Sequence, residues 1–376
     1  MRSRVLAAGA AALAVALAAC TVPSPVSPVP AAQSPAQSPA QSSVPSSVPS
    51  SSDLLRPSDR PVTLRSDPRS LSVTYALRGE RRTLDDFLTR TRANGFLVLD
   101  DRRIVYERYQ GADRETRFQS WSLAKSFTSA AIGIALGEGR IRSIDDPVTR
   151  YLPELQGSGY DGVSIRNLLR MSSGIEWNER HDVPRMQVAA RRGLSLRSMA
   201  ARQVRGWEPG SRFEYTSMNS FVLARVVTEA TGMPYHRYVE EKIWKAAGME
   251  ATAWLDDDLG YCCYYATDRD FARFGLLYLH GGLSQGRQVV PPSWAEESTR
   301  PSASFNPQYG LHWWLGGGGQ DDFMAAGFGG QYIYVSPAHG VVIVKSSFAR
   351  ATTSDAERDE ALAVFRAVAA EVARTR

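Results

Sequence analysis

The stretch Ser122-Leu123-Ala124-Lys125 is followed by Phe127-Thr-Ser-Ala-Ala-Ile-Gly-Ile-Ala-Leu136, a run that is small and apolar on nearly every side. Such a run is typical of a helix that is buried all round. Residues i and i+3 lie on one face of a helix, so the Lys125 amine can reach the Ser122 hydroxyl. Burial and the positive end of the helix dipole both disfavour an ammonium ion, which favours a neutral amine near pH 7. The pattern indicates a serine nucleophile with its base. The alternative is a surface serine beside a snorkelling lysine.

Two further segments carry groups that this chemistry needs. Tyr215 follows a turn-rich entry and precedes the amphipathic run Ser220–Ala230, which predicts a phenol on a loop that opens a helix. A phenol near the serine and the lysine can pass a proton between nucleophile, base and leaving group. Gly327-Phe-Gly-Gly-Gln331 precedes an alternating strand pattern, and glycines at that place let a backbone N–H approach a ligand closely. We expect the N–H groups of Ser122 and Gln331 to form an oxyanion hole.

In this order and spacing, the three segments resemble the serine β-lactamase and penicillin-binding-protein superfamily. The closest resemblance is to the class C-like branch, which holds family VIII carboxylesterases and 6-aminohexanoate-dimer hydrolases. Ser122–Lys125 matches the S-x-x-K motif, Tyr215–Ser217 matches Y-x-[NS], and Ala266–Gly275 also resembles the branch. The resemblance covers roughly residues 61 to 372. It implies an acyl-enzyme mechanism with Ser122, Lys125 and Tyr215 as catalytic residues, and it implies neither a cofactor nor a metal.

The hydrophobic patterning predicts an α+β fold that agrees with this resemblance. A long helical middle separates the terminal pieces, so we expect an antiparallel sheet flanked by terminal helices, plus a helical subdomain, as in the β-lactamase-like fold. The active site is expected at their junction. The predicted elements are helices at Thr83–Arg92, Asp270–His280 and Ser354–Ala373, a hairpin of Gly95–Leu99 with Ile104–Tyr109, and strands at Tyr309–Leu315, Gln331–Val335 and Val341–Phe348.

The resemblance also implies a substrate cleft, and there the chain departs from the family. The implied cleft residues are Trp177, His181, Ser217, Phe328, Gly329 and Gly330. Relatives that recognise β-lactams carry a basic residue where this chain has Phe328, and a phenyl ring cannot pair with a substrate carboxylate. We therefore expect an esterase or amidase acting on small molecules. The enzymatic alternative is a β-lactamase or DD-peptidase, and the alternative from another class is an inactive, tethered ligand-binding module.

The N-terminal sequence is typical of an exported bacterial lipoprotein. A basic start and the apolar run Val5–Leu17 precede Leu17-Ala-Ala-Cys20, which resembles a lipobox. The apolar run is too short to span a bilayer. We expect a signal peptide over 1–19, a lipid on Cys20, a disordered Pro/Ser/Ala/Gln-rich tether over 20–60 and the hydrolase domain over 61–376. This predicts anchoring on the periplasmic or cell-surface side of a membrane. A plain secretory signal with an incidental Cys20 is the alternative.

Composition argues against other classes of protein and site. The formal net charge is +5 without a Lys/Arg block interleaved with aromatic residues, so nucleic acid is not an expected partner. The histidines lack metal-ligand spacing, and the neighbours Cys262 and Cys263 are too few for a zinc site. Those two cysteines either form a vicinal disulfide or remain thiols. Gly282–Gly286 fits G-x-S-x-G, but a helical pattern precedes it, so Ser284 is expected on a surface turn. The sequence does not indicate the oligomeric state.

Overall fold

A seven-stranded sheet forms the centre of the computed structural model, which describes residues 52–256, 259–348 and 354–376. The α-helices of the described residues are α1 (Leu84–Arg90), α2 (Ala124–Gly137), α3 (Ile165–Leu169), α4 (Glu179–Arg191), α5 (Leu196–Ala201), α6 (Ser217–Thr231), α7 (Tyr235–Val239), α8 (Asp268–Leu279), α9 (Pro292–Ser298) and α10 (Asp355–Arg374). The strands of the described residues are β1 (Ser52–Leu55), β2 (Arg65–Ser66), β3 (Thr74–Leu77), β4 (Glu80–Thr83), β5 (Gly95–Asp100), β6 (Arg103–Tyr109), β7 (Phe118–Gln119), β8 (Ala253–Asp256), β9 (Tyr264–Ala266), β10 (Leu283–Ser284), β11 (Arg287–Gln288), β12 (Trp314–Leu315), β13 (Phe323–Gly327), β14 (Gln331–Ser336) and β15 (Val341–Ser346).

The central sheet has the strand order β12-β13-β14-β15-β5-β6-β2. Every neighbouring pair in it is antiparallel except β2 with β6, which is parallel. A second sheet has the order β1-β8-β9-β7. The predicted α+β fold with an antiparallel sheet is therefore confirmed, and strands from both ends of the domain meet in its centre.

Alternating side chains bury both faces of the central sheet. On β5, Phe96 and Val98 belong to the same hydrophobic cluster as residues of α1 and α10. Leu97 and Leu99, from the same strand, belong to the cluster that includes α2 and α8. The Phe96 ring stacks on Phe365 of α10 with centroids 6.3 Å apart. Because both faces are covered, the strands are near-continuous apolar runs. The terminal helices α1 and α10 cover one face of the sheet, as predicted.

Helix α2 is buried along most of its length and begins directly after the turn that carries Ser122. Every residue from Ala124 to Ala135 is buried, as its apolar sequence predicts. Gly133 lets the helix approach α9, since a Cβ there would lie 2.2 Å from the Trp294 ring. The residues before α2, Trp121–Leu123, form a 3₁₀ turn. The position of Ser122 is thus set by a helix packed inside the protein.

Two predicted boundaries differ from the structure. Of the strand expected at Tyr309–Leu315, only β12 forms, because the intervening backbone bonds elsewhere: Leu311 N–H donates to Ser298 and His312 N–H to Leu169. Strand β1, paired with β8, lies inside the range 20–60 predicted as a tether, so the described fold begins before residue 61.

The remaining motifs have plain structural positions. Ser284 lies in the β10–β11 hairpin and its hydroxyl donates to the carbonyl of Ala247, 3.1 Å away, so the G-x-S-x-G pattern is not a strand–turn–helix nucleophile elbow. Cys262 and Cys263, left open by the sequence, are joined as a disulfide. Within the described ranges, none of the helices has the length and apolar character needed to cross a bilayer.

Candidate active site

The backbone around Ser122 is fixed from the side of β9. Ser120 N–H donates to the Tyr264 carbonyl, and Tyr264 N–H donates to the Ser120 hydroxyl, each over 2.8 Å. Between Ser120 and Ser122, Trp121 has a φ of +49°, in the left-handed region that bulky residues rarely adopt. Such conformations persist only where the surroundings enforce them, and they cluster at functional sites.

The Lys125 amine lies at the centre of a buried hydrogen-bond network. Its side chain is almost fully buried, with 2 % exposed. Nζ lies 2.9 Å from Ser122 Oγ, 3.0 Å from Ser217 Oγ and 3.3 Å from the Tyr261 carbonyl oxygen. Burial lowers the pKa of Lys125 to about 8, and the negative charge of Glu179 opposes that shift. Near physiological pH the ammonium form therefore still predominates, and the minor fraction of neutral amine grows as the pH rises towards 8.

Tyr215 lies on the loop before α6, as predicted, and its phenol reaches the same serine. Its ring centroid lies 5.1 Å from Lys125 Nζ, its ring stacks on Trp314 with centroids 5.8 Å apart, and its hydroxyl interacts with the Ser122 side chain. Burial, followed by the charge of Glu179, raises the pKa of Tyr215 well above its ordinary value. The phenol is therefore protonated at neutral pH and can donate its proton. Ser122, Lys125 and Tyr215, which are distant in sequence, come together as predicted.

Glu179 is a member of the network that the sequence reasoning missed. Its carboxylate accepts hydrogen bonds from the Ser217 amide over 3.0 Å, from the Ser217 hydroxyl and from Trp177 Nε1 over 2.6 Å. It therefore holds the serine hydroxyl that contacts Lys125. Glu179 is the first residue of α4, where an acidic side chain is common for helix-dipole reasons alone. The only sequence signal for a role of Glu179 in the site was its position two residues after Trp177, which was predicted to line the cleft.

The residues predicted to bind substrate occupy different environments. Trp177 is buried against Glu179, and Ser217 lies inside the proton network. His181 is exposed on the first turn of α4. Phe328 has 38 % of its side chain exposed and packs edge-on against Trp121 with centroids 5.3 Å apart. It forms an apolar surface beside the Ser122 turn.

The β13–β14 turn, with Gly329 and Gly330, lies against the segment that carries Ser122. A Cβ on Gly327 would lie 2.3 Å from the Ser120 carbonyl oxygen, so only glycine permits this approach. Gly327 pairs with Gln331 across the turn, and the Gln331 side chain is held by two hydrogen bonds to the Ser347 backbone. Below the turn, the buried Lys345 amine donates to the Gly330 carbonyl over 3.0 Å. The turn is thus firmly supported next to the serine.

His312 is a buried histidine that connects three segments near the site. Nδ1 lies 2.8 Å from the Leu169 carbonyl oxygen and must donate to it, so Nε2 accepts from the Ser220 hydroxyl at 2.9 Å. Burial, with the nearby charge of Lys125, lowers the pKa of His312 to about 3. The ring is therefore neutral and ties α6 to the strand region without touching Ser122.

Comparison with known proteins relates most of the chain to the family that the sequence motifs resemble. The Beta-lactamase family model matches residues 81–367. A 6-aminohexanoate-dimer hydrolase from Paenarthrobacter ureafaciens is 30% identical over 304 residues, covering 70% of this chain and 74% of that protein. A beta-lactamase from Pseudomonas fluorescens is 23% identical over 146 residues, covering 38% of each chain.

Solved structures agree on the fold. A Bacillus anthracis protein, provisionally named a 6-aminohexanoate-dimer hydrolase, superimposes with a TM-score of 0.76 at 24% identity, covering 86% of this chain and 90% of that one. The hydrolase EstCE1 superimposes with a TM-score of 0.58 at 16% identity, covering 77% of this chain and 96% of that one. At these identities the likeness concerns the fold alone. The family match and the hydrolase relative together show that the chain belongs to the Beta-lactamase family and is a serine hydrolase.

Proposed function

We propose that this chain is an exported, lipid-anchored hydrolase that cleaves ester or amide bonds of small substrates through an acyl-enzyme on Ser122. The observation that carries the proposal is the position of the Lys125 amine. It is buried, lies 2.9 Å from Ser122 Oγ and has a pKa lowered to about 8. A nucleophile within hydrogen-bond reach of an amine that can accept its proton has the geometry that covalent catalysis requires.

In the first half of the reaction, Ser122 Oγ attacks the substrate carbonyl carbon and its proton passes to the neutral Lys125 amine. The carbonyl oxygen becomes an oxyanion, and the proposed donors to it are the N–H groups of Ser122 and Gln331. As the tetrahedral intermediate collapses, the bond to the leaving oxygen or nitrogen breaks and Tyr215 relays a proton to it. The product of this half-reaction is an ester between the acyl group and Ser122.

In the second half, water attacks the acyl ester and gives up a proton to the same network. The bond from the acyl carbon to Ser122 Oγ breaks, Oγ regains its proton, and the free acid leaves. The opposite pKa shifts of Lys125 and Tyr215 favour the amine as base and the phenol as proton donor. Glu179 supports this arrangement by holding the Ser217 hydroxyl against the amine.

The proposed substrate class follows from the surface beside the serine. In β-lactam-recognising relatives the resemblance places a cation at the position of Phe328, whose ring here packs on Trp121. A carboxylate would lose a charge-assisted hydrogen bond there. The name of the relative, 6-aminohexanoate-dimer hydrolase, supports amides as substrates, because a dimer of an amino acid is joined by an amide bond.

The proposed location rests on the N-terminal sequence alone. Leu17-Ala-Ala-Cys20 and the Pro/Ser-rich stretch after it support cleavage before Cys20, lipidation of its thiol and an extended tether. Cys20 lies outside the described residues.

A substrate panel tests the proposed specificity. Wild-type protein should hydrolyse p-nitrophenyl esters of short acids and short linear amides, with kcat/KM for a chromogenic cephalosporin lower by several orders of magnitude. Phe328→Lys should reduce the difference in kcat/KM between the esters and the cephalosporin. Leu283→Lys makes the same charge change at an exposed apolar residue of the β10–β11 hairpin, and it should leave that difference in kcat/KM unchanged. Wild-type cleavage of the cephalosporin as fast as of the esters would instead support a β-lactamase.

A further inference from the structure

The segment from residue 180 to residue 205 concentrates the positive charge of the protein. It contains seven arginines and a single acidic residue, Asp182, an excess of six in a chain whose formal net charge is +5. All seven are exposed: Arg180, Arg185, Arg191, Arg192, Arg197, Arg202 and Arg205. Among the described residues, no carboxylate forms an ion pair with Arg180, Arg192 or Arg202. Helices α4 and α5 and their flanks therefore present a cationic surface.

The same surface also exposes large apolar side chains. Val188, Leu194 and Val204 expose 44 %, 58 % and 60 % of their side chains. Val188 and Leu194 line a groove between α4 and α5, together with Pro184 and Met199. Exposed apolar side chains surrounded by arginines suit a surface that is apolar and negatively charged at once. The boundary between lipid headgroups and acyl chains has both properties.

The position of this surface relative to β1 supports a membrane as its occupant. Arg191, at the end of α4, acts electrostatically on Tyr265 of β9. Strand β9 belongs to the sheet β1-β8-β9-β7, in which neighbouring strands lie about 5 Å apart. The described fold starts at Ser52 in β1. A tether that precedes Ser52 would thus join the domain at the edge strand of the sheet on which Arg191 acts.

We propose that the α4–α5 face binds the surface of an anionic lipid bilayer, with arginines contacting lipid phosphates and Val188 and Leu194 entering the headgroup region. The proposal relies on the proposed lipid anchor to bring a bilayer close, and it does not depend on the hydrolase chemistry. Binding of this kind would fix the orientation of the domain on the membrane.

Hydrogen exchange on the lipidated full chain tests this surface. The protein is placed in nanodiscs of phosphatidylcholine, or of phosphatidylcholine mixed equally with phosphatidylglycerol, and mass spectrometry of the N-terminal peptide verifies the lipid separately. We expect amide exchange over Glu179–Ala201 to be slower by about tenfold or more in the anionic nanodiscs. High salt should remove the difference.

Matched variants identify the residues responsible. Changing Arg180, Arg192 and Arg202 together to Gln should abolish the protection, and Leu194→Ser should reduce it. The control changes Arg60, Arg140 and Arg287 to Gln, which removes the same charge from other exposed sites and should leave the protection of Glu179–Ala201 from exchange unchanged.

Equal exchange in both lipids, or the same behaviour from both triple variants, would overturn the proposal. Protection by soluble polyphosphate on neutral nanodiscs, insensitive to Leu194→Ser, would also overturn it and indicate a polyanion site. Ester hydrolysis of each variant, measured separately, reports on the proposed function alone.

Discussion

At the scale of single residues, the site is a chain of contacts that runs from a carboxylate through one buried amine to the Ser122 hydroxyl. The Glu179 carboxylate accepts from Ser217, Ser217 contacts Lys125 Nζ, and Nζ contacts Ser122 Oγ. Burial and the carboxylate act on the amine in opposite directions, since burial lowers the pKa of Lys125 and Glu179 raises it. The balance between them leaves the pKa at about 8, where the amine is both a fair acceptor and partly neutral.

This balance predicts the pH dependence of hydrolysis. The neutral amine is the active form, so kcat/KM should rise as the pH increases through about 8 and level off above it. Glu179→Gln removes the charge that raises the pKa of Lys125. The acid limb of the pH profile, which is the range in which kcat/KM rises with pH, should therefore move to lower pH. Ser217 would also be held less firmly, so kcat should fall by about 10- to 100-fold.

The control is Glu176→Gln, which removes one negative charge from an exposed residue three positions earlier. It should leave both the acid limb and kcat close to wild type. Measurement of ester hydrolysis between pH 5 and pH 10 decides between the outcomes. An acid limb that stays in place in Glu179→Gln, or moves upward, would show that the carboxylate does not act on the amine.

Sequence reasoning at this scale found the groups with a recognisable motif and missed the one without. Ser122 lies in the 3₁₀ turn that leads into α2 and Lys125 lies in the first turn of α2, so their contact follows from the helical i, i+3 spacing. Tyr215 required the family resemblance as well. Glu179 contacts Ser217 across 38 positions of sequence, and a glutamate at a helix start is ordinary, so nothing local distinguished it.

At the scale of elements, α2 holds the serine in place because it packs tightly along its length. The apolar sequence predicted its burial. It did not predict that Gly133 would meet Trp294, because α9 is far away in sequence. Alternating residues likewise predicted β14 and β15 to within two residues at each end. The strand expected at Tyr309–Leu315 was mostly wrong because its backbone groups pair with non-adjacent segments.

Gly133→Ala tests the packing of α2 against α9. Alanine favours a helix by about 1 kcal/mol over glycine, but the new Cβ would lie 2.2 Å from a buried ring. Overpacking of this kind costs about 1–3 kcal/mol, so we expect a net loss of unfolding free energy of up to about 2 kcal/mol. Urea unfolding measures it. In a Trp294→Leu background the same change should cost less, and an equal cost in both backgrounds would rule out the ring as the cause.

At the scale of the whole molecule, a two-faced sheet brings the ends of the domain together while the helical middle carries Tyr215 and Glu179. Composition and patterning predicted this arrangement, because terminal strands and helices with matching apolar faces leave few other ways to pack. The N-terminal stretch before Ser52 adds the proposed export and anchoring, which depend on sequence alone.

Cys20→Ser tests the anchor. The native protein should fractionate with membranes and begin at a lipid-modified Cys20, as read by mass spectrometry of the N-terminal peptide. The variant cannot accept the lipid, so it should be either unprocessed or released. A native protein that is soluble and starts at another residue would contradict the lipoprotein assignment while leaving the hydrolase assignment untouched.

The central claim is that Ser122 is the nucleophile, and covalent labelling with a fluorophosphonate tests it most directly. The wild-type protein should be labelled on Ser122 alone, as mapped by peptide mass spectrometry. Ser122→Ala should lose the label and lower turnover by a factor on the order of 10³ or more, with thermal unfolding showing that it remains folded. Ser284→Ala, at the serine of the G-x-S-x-G pattern, should label like wild type. A label that persists in Ser122→Ala or maps to Ser284 would contradict the account, and a folded wild-type protein that takes no label would favour an inactive binding module.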